Sequence, residues 1–225
     1  MAAGHEPDIR LVLVRPSDSR NVGAACRAAK TMGIAQLVLV AGDRRATMGN
    51  LVVYDRADKV LSIDDDAIMA IAGSPAVAYD IARMLEMSVQ YYRRSQLQRL
   101  SLDGKLRTLS RLLRQNLPMA MQGIGAVVPI FASYDEVAAQ SKIFFYDLLG
   151  AEIECVDFCT TGSGSHIIRG ARYYQNRWGT PLEEMCEGQA VETVVKMLET
   201  AAEYDTATGD GFGAGLLTTI YDNTE

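Results

Sequence analysis

Apolar residues gather into short runs separated by polar or glycine-containing stretches. IRLVLV at 9–14 and QLVLVA at 36–41 predict strands buried on both faces. Between them, NVGAACRAAKTM at 21–32 is small and alanine-rich and predicts a helix stopped by Gly33. The three together make a βαβ-like opening. AGDRRATMGN at 41–50 then predicts a polar loop, 51–59 and 60–63 short strands, and 68–73 (IMAIAG) a buried strand closed by Gly73. Ser74 followed by Pro75 opens a helix. It runs to about residue 93, with Val77, Ile81, Met84 and Leu85 at helical spacing. Asp103 is placed to cap a second helix through 117. Strands follow at 123–133 and 142–149, and Gly150 turns the chain into another at 153–158. Residues 165–178 and 181–203 predict a second helix pair, and 216–222 (LLTTIYD) a last strand.

Strands cluster, then two helices, then strands, two helices and a strand. Runs segregated in this way argue for an α+β fold, with antiparallel sheets covered by helical layers. A chain of 225 residues with 48% apolar and 22% charged side chains has the composition of a folded domain. It is long enough to bury roughly 70% of its unfolded surface without disulfides or metals. The net charge of −6 predicts weak attraction to nucleic acid or anionic membrane. That charge is uneven: residues 1–39 hold five basic against three acidic side chains, whereas the remainder holds 17 against 25. The first segment therefore differs in character from the rest.

Cys26, Cys155, Cys159 and Cys186 form no CxxC pair, and only His5 and His166 could join them. No zinc or other metal site is expected from that set. Cys155 and Cys159, in or beside a predicted strand, read as buried free thiols. No apolar run reaches the ~18 residues of a membrane span, and MAAGHEPDIR carries no hydrophobic signal core. A cytoplasmic location is expected.

The segment at 41–50, AGDRRATMGN, is followed by Lys59 in ADKV. Further on stand SLDGK at 101–105, AMQG at 120–123, TGSGS at 161–165 and YDTATGD at 204–210. In that order these motifs resemble the proteasome β subunit, particularly its bacterial form, over about 185 of the 225 residues. The resemblance implies a four-layer αββα sandwich of the N-terminal-nucleophile type and no cofactor. It also implies a threonine-type endopeptidase. The hydroxyl of a freed N-terminal Thr attacks a peptide carbonyl, and that residue's own α-amine is the base. An α-amine titrates at about 7.7–8.0, and a nearby Lys would favour its neutral, proton-accepting form.

On this resemblance Asp43 and Lys59 match the pair that tunes the amine. A plain structural ion pair is the alternative. Arg45 matches the residue supporting the Asp, and Ser163, Asp205 and Thr208 match those around the amine. Thr208 stands where many members carry Ser. Thr47 and Gly73 match positions whose backbones pair with a substrate strand. Gly73 could equally be a simple strand-to-helix turn. Ala46, Ile71 and Pro75 would line the first specificity pocket with an apolar wall, Pro75 replacing the usual small residue. The implied partners are proteasome α-type subunits and other β subunits in stacked rings, with unfolded proteins as substrates.

One position departs from the pattern. In the family the Thr precedes the Asp by about as many residues as the Asp precedes the Lys, which is 16 here. Counting back from Asp43 reaches Arg27, within AACRAAK, with no Thr pair or Gly-Thr junction. Thr31 is too close to Asp43, and Cys26 reads as a small helix residue. The chain is therefore expected to be inactive as written. Residues 9–40 instead resemble the opening strand–helix–strand of SpoU-type knotted RNA methyltransferases, with Asn21, Gly23 and Arg27 on that family's first motif. The motifs of that family's S-adenosylmethionine-binding knot are not found. The expected division is an N-terminal segment, 1–39, and a proteasome β-type domain, 40–225. The alternatives are a tRNA or rRNA 2′-O-methyltransferase fragment, or a non-catalytic ring subunit.

Overall fold

A computed structural model describes residues 12–13, 38–48, 51–135, 137–138, 140–185, 187–209 and 212–217. The predicted helix at 21–32, with Cys26, Arg27 and Thr31, lies outside the described residues, as does Cys186.

Five strands form one antiparallel meander in the order β5 (Val60–Asp64), β6 (Ala67–Ala70), β7 (Ile130–Asp135), β8 (Gln140–Tyr146) and β9 (Glu152–Cys155). Their side chains divide with period two. Met69, Phe131, Phe144 and Tyr146 face one core, while Ile68, Ala70, Ala132 and Ile143 face another. The first core is closed by helices α1 (Pro75–Gln96) and α2 (Leu102–Met121). Helix α1 buries Ala78, Ile81, Ala82, Leu85 and Val89, one stripe at helical spacing. Met84, expected in that stripe, is exposed. Helix α2 is capped by Ser101, whose hydroxyl accepts from the Gly104 N–H at 3.2 Å. Asp103 sits instead in the first turn, where its charge suits the helix dipole.

The second core meets a three-stranded sheet of order β1 (Val12–Leu13), β10 (Phe212–Leu217), β2 (Val38–Asp43). Val38 and Val40 of β2 pack on Ile68, Ala70 and Ala132. Helices α3 (Ser165–Trp178) and α4 (Glu187–Tyr204) form the outer layer on this side, after a short 3-10 turn at Leu182–Glu184. Helix, sheet, sheet, helix is the four-layer α+β sandwich. Strands β1 and β2 both run antiparallel to β10, so they are parallel to one another with β10 between them.

The polar loop expected at 41–50 is largely strand. β2 continues to Asp43, and β3 (Ala46–Met48) pairs with β4 (Leu51–Tyr54). Pairing of 38–43 with 212–217, far away in sequence, holds extended a Gly- and Asp-containing stretch that local propensity leaves open. Of the strand expected over 123–133, only the part from Ile130 is regular. The last strand starts at Phe212, ahead of the apolar run that predicted it. Cys155 and Cys159 are free thiols but half-buried rather than buried.

Candidate active site

Asp43 ends β2, and Lys59 immediately precedes β5, so the two side chains meet where the sheets stack. The Lys59 ammonium donates to both carboxylate oxygens of Asp43, at 2.7 and 2.8 Å. Two backbone groups complete the shell: the N–H of Arg45 at 2.9 Å and that of Gly209 at 3.1 Å, both on Oδ2. The pair is 14% and 21% exposed, dry enough for the charges to be felt and open enough to reach a ligand. A carboxylate held by three donors fixes the ammonium against it.

Arg45 reaches the other way. Its guanidinium donates to the carbonyls of Thr206 (3.3 Å) and Thr208 (3.1 Å), fastening the loop after α4 onto the β2–β3 corner. Two hydroxyls donate to Asp205 Oδ2 of that loop, Ser163 from the turn before α3 and Thr208 at 2.6 Å. The Ala207 N–H donates to Oδ1 at 3.2 Å. Partial burial works to raise the Asp205 pKa, but the Ser163 and Thr208 hydrogen bonds outweigh it and hold the carboxyl below its usual range. Gly164 lets the two loops close: a Cβ there would stand 2.8 Å from Thr208 Oγ1.

On the opposite wall Gly73 adopts φ +105°, and a Cβ there would fall 2.0 Å from the Ala126 carbonyl oxygen. Its neighbours hydrogen-bond to the next segment, with Ser74 N–H on Ala126 O at 2.8 Å and Val128 N–H on Ala72 O at 3.0 Å. Gly73 is thus both the turn into α1 and an extended bridge opposite Val127. A cavity of about 770 Å³ lies between these walls. Asp43, Lys59, Arg45, Ser163 and Thr208 line one part of it, and Ala46, Thr47, Ile71, Gly73 and Pro75 another. Asp205 supports the lining from behind through Ser163 and Thr208.

A family model described as "Proteasome subunit" matches residues 29–217. The chain belongs to the proteasome subunit family. Its relatives include "Proteasome subunit beta" of Streptomyces griseus, 40% identical over 172 residues, which are 76% of this chain and 59% of the relative. "Proteasome subunit beta" of Acidothermus cellulolyticus is 39% identical over 188 residues, 82% of this chain and 62% of the relative. "Proteasome subunit beta 2" of Thermomonospora curvata is 41% identical over 171 residues, 76% and 59% of the two chains. These likenesses make it a proteasome β-type subunit. The chain spans about three fifths of the length of these relatives. The family match begins at residue 29, ahead of the expected domain start at residue 40.

Asp43, Arg45, Ala46, Thr47, Lys59, Ile71, Gly73, Pro75, Ser163 and Thr208 all line this cavity, and Asp205 lies directly behind it. Arg27 lies outside the described residues. Sequence reasoning missed Gly209, whose contribution is a backbone N–H to Asp43 and leaves no side-chain signal. It also missed Thr161, which lines the cavity and donates to the Val128 carbonyl at 2.8 Å, tying the 161–165 loop to the sheet. The hydroxyl beside the Gly-Ser loop was the available hint.

Proposed function

We propose that this β-type subunit carries the amine-tuning half of a threonine-peptidase site and works inside rings built with α-type and other β subunits. Its substrates are unfolded proteins, entering a cytoplasmic chamber. The observation that carries this reading is the Lys59–Asp43 pair, fixed by two backbone donors and opening on the cavity that Ser163 and Thr208 share. An ammonium so held raises the cost of a second positive charge beside it, which favours a neutral amine as base. Thr47 and Gly73 flank the cavity as backbone partners for an extended substrate, and Ala46, Ile71 and Pro75 give its pocket an apolar wall. Arg27 occupies the sequence position of the family's nucleophile, so the chain alone turns over no peptide. No described helix is long and apolar enough to cross a membrane. The test is hydrolysis of fluorogenic peptides with apolar P1 residues, read beside intact mass. The expected result is no turnover and an uncleaved chain. Rapid turnover with a mass loss exposing a new N-terminal Thr would overturn the reading.

A further inference from the structure

Cys155 ends β9 and the chain bends at Val156 and Asp157, which brings Cys159 back beside it. The Cys155 thiol donates to the Ile153 carbonyl at 3.7 Å, leaving its sulfur as an acceptor. The Cys159 thiol is hydrogen-bonded to Cys155. Both thiols are free and half-buried, and Val156 in the turn between them is fully exposed. Arg172 of α3 holds that turn in shape. Its guanidinium pairs with the Asp157 carboxylate and stands 4.7 Å from the centre of the Phe158 ring. Neither contact involves a sulfur, so the turn keeps its shape through a change at the thiols.

Cys159 also begins the segment that leads to Ser163. Thr160 accepts from Arg169 Nε at 3.0 Å, Thr161 donates to the Val128 carbonyl at 2.8 Å, and Ser163 reaches Asp205. A bond at Cys159 therefore acts on a short, well-fastened run of chain. The two thiols are not equally ready to react. Burial first, then the Cys155 sulfur beside it, push the Cys159 thiol up, well above the usual range, against the pull of Arg169. Cys159 stays protonated at neutral pH, so Cys155, beside the exposed Val156, is the sulfur that meets an oxidant first.

We propose that Cys155 and Cys159 form a redox modification site, which a low-molecular-weight disulfide converts to an intramolecular disulfide stapling the end of β9 to the segment before α3. The Cys155 thiolate attacks one sulfur of the small disulfide, forming a mixed disulfide and expelling a thiolate that takes up the Cys155 proton. The Cys159 sulfur then attacks the Cys155 sulfur and expels the second small thiolate, which leaves with the Cys159 proton. The two cysteines are oxidised, and one small disulfide is reduced to two thiols. Excess small thiol runs the same steps backward, so the staple is transient wherever such thiols are abundant. No peptide turnover is involved, so this inference stands or falls apart from the hydrolysis assay.

The test treats the full chain with oxidised glutathione, blocks remaining thiols with iodoacetamide and maps tryptic peptides by mass. Trypsin leaves both cysteines on residues 143–169, with Cys26 and Cys186 on other peptides. The expected product is that peptide lighter by two hydrogens and unalkylated, restored by excess reduced glutathione. Amide exchange at 156–163 should slow in the oxidised chain. Cys159→Ser should stop at a glutathione adduct on Cys155. Phenylarsine oxide bridges two adjacent thiols with loss of water; it should protect both from alkylation in the parent and leave Cys155 open in Cys159→Ser. A parent that stays fully alkylated, that keeps glutathione on either cysteine without closing, that joins either one to Cys26 or Cys186, or whose exchange at 156–163 is unchanged would overturn the inference.

Discussion

Replacing Lys105 by Met should cost this fold about 3–5 kcal/mol at pH 7. Lys105 is 1% exposed and lies on α2 facing the β5–β6 turn, where Asp64 is 8% and Asp66 5% exposed. Its ammonium stands 3.1 Å from Asp64 Oδ2 and is in direct contact with Asp66 Oδ1. Met keeps most of the side-chain volume, so the packing of Leu106 and Leu109 should survive. What is lost is the cation in contact with both buried carboxylates, and removing one partner of such a cluster strands the others' charge. Burial already raises the Asp66 pKa despite Lys105, whereas Asp64, also pushed up by burial, is held low by its bonds to Lys105. With Met in place both carboxyls should favour the protonated form when folded. A group whose folded pKa exceeds its unfolded value adds stability as pH falls. The deficit should therefore be largest near neutrality and shrink as pH drops toward about 4, the ordinary carboxyl range. Thermal melts between those limits read it, with a drop of about 6–20 °C expected at pH 7 for a chain of this size. Adding Asp66→Asn to Lys105→Met should recover part of the loss. A variant that melts with the parent at pH 7, or whose deficit grows on acidification, would refute the reasoning.

Gly73→Ala should destabilise by more than about 2 kcal/mol, since φ is positive there and the new methyl meets the Ala126 carbonyl; chemical denaturation measures it. Asp205→Asn should flatten the acid limb of the stability curve. The parent's folded Asp205 pKa is depressed, so its contribution is present above about pH 4 and is lost as pH falls below; melts from pH 6 to 3 would show it. Ser101→Ala should cost about 1 kcal/mol through the lost cap on α2, read by the denaturation midpoint.

The α+β arrangement was legible in the segregated runs of strands and helices, and α1 in its apolar stripe, whereas the four layers came with the family resemblance. The stretch at 41–48 was not legible, because Gly42 and the charges at 43–45 weaken strand propensity locally. The strand character of 41–43 comes from β10, about 170 residues away, and that of 46–48 from pairing with β4. Asp103 looked like a cap because Asp and Ser compete for that place, and only the backbone shows that Ser101 takes it. Asp43, Lys59, Ser163, Asp205 and Thr208 could be named from motifs, since side-chain chemistry is written in residue type. The Gly209 N–H on Asp43 could not, because it is a property of the backbone.

The claim on which the rest depends is that the chain is a β-type ring subunit with its amine-tuning site already assembled. Co-expression with a bacterial α-type proteasome subunit, followed by native mass spectrometry and electron microscopy, tests it most directly. The account predicts stacked rings containing this chain, with Lys59 seated on Asp43 in the reconstructed map. A chain that stays monomeric in the presence of assembled α rings would contradict it.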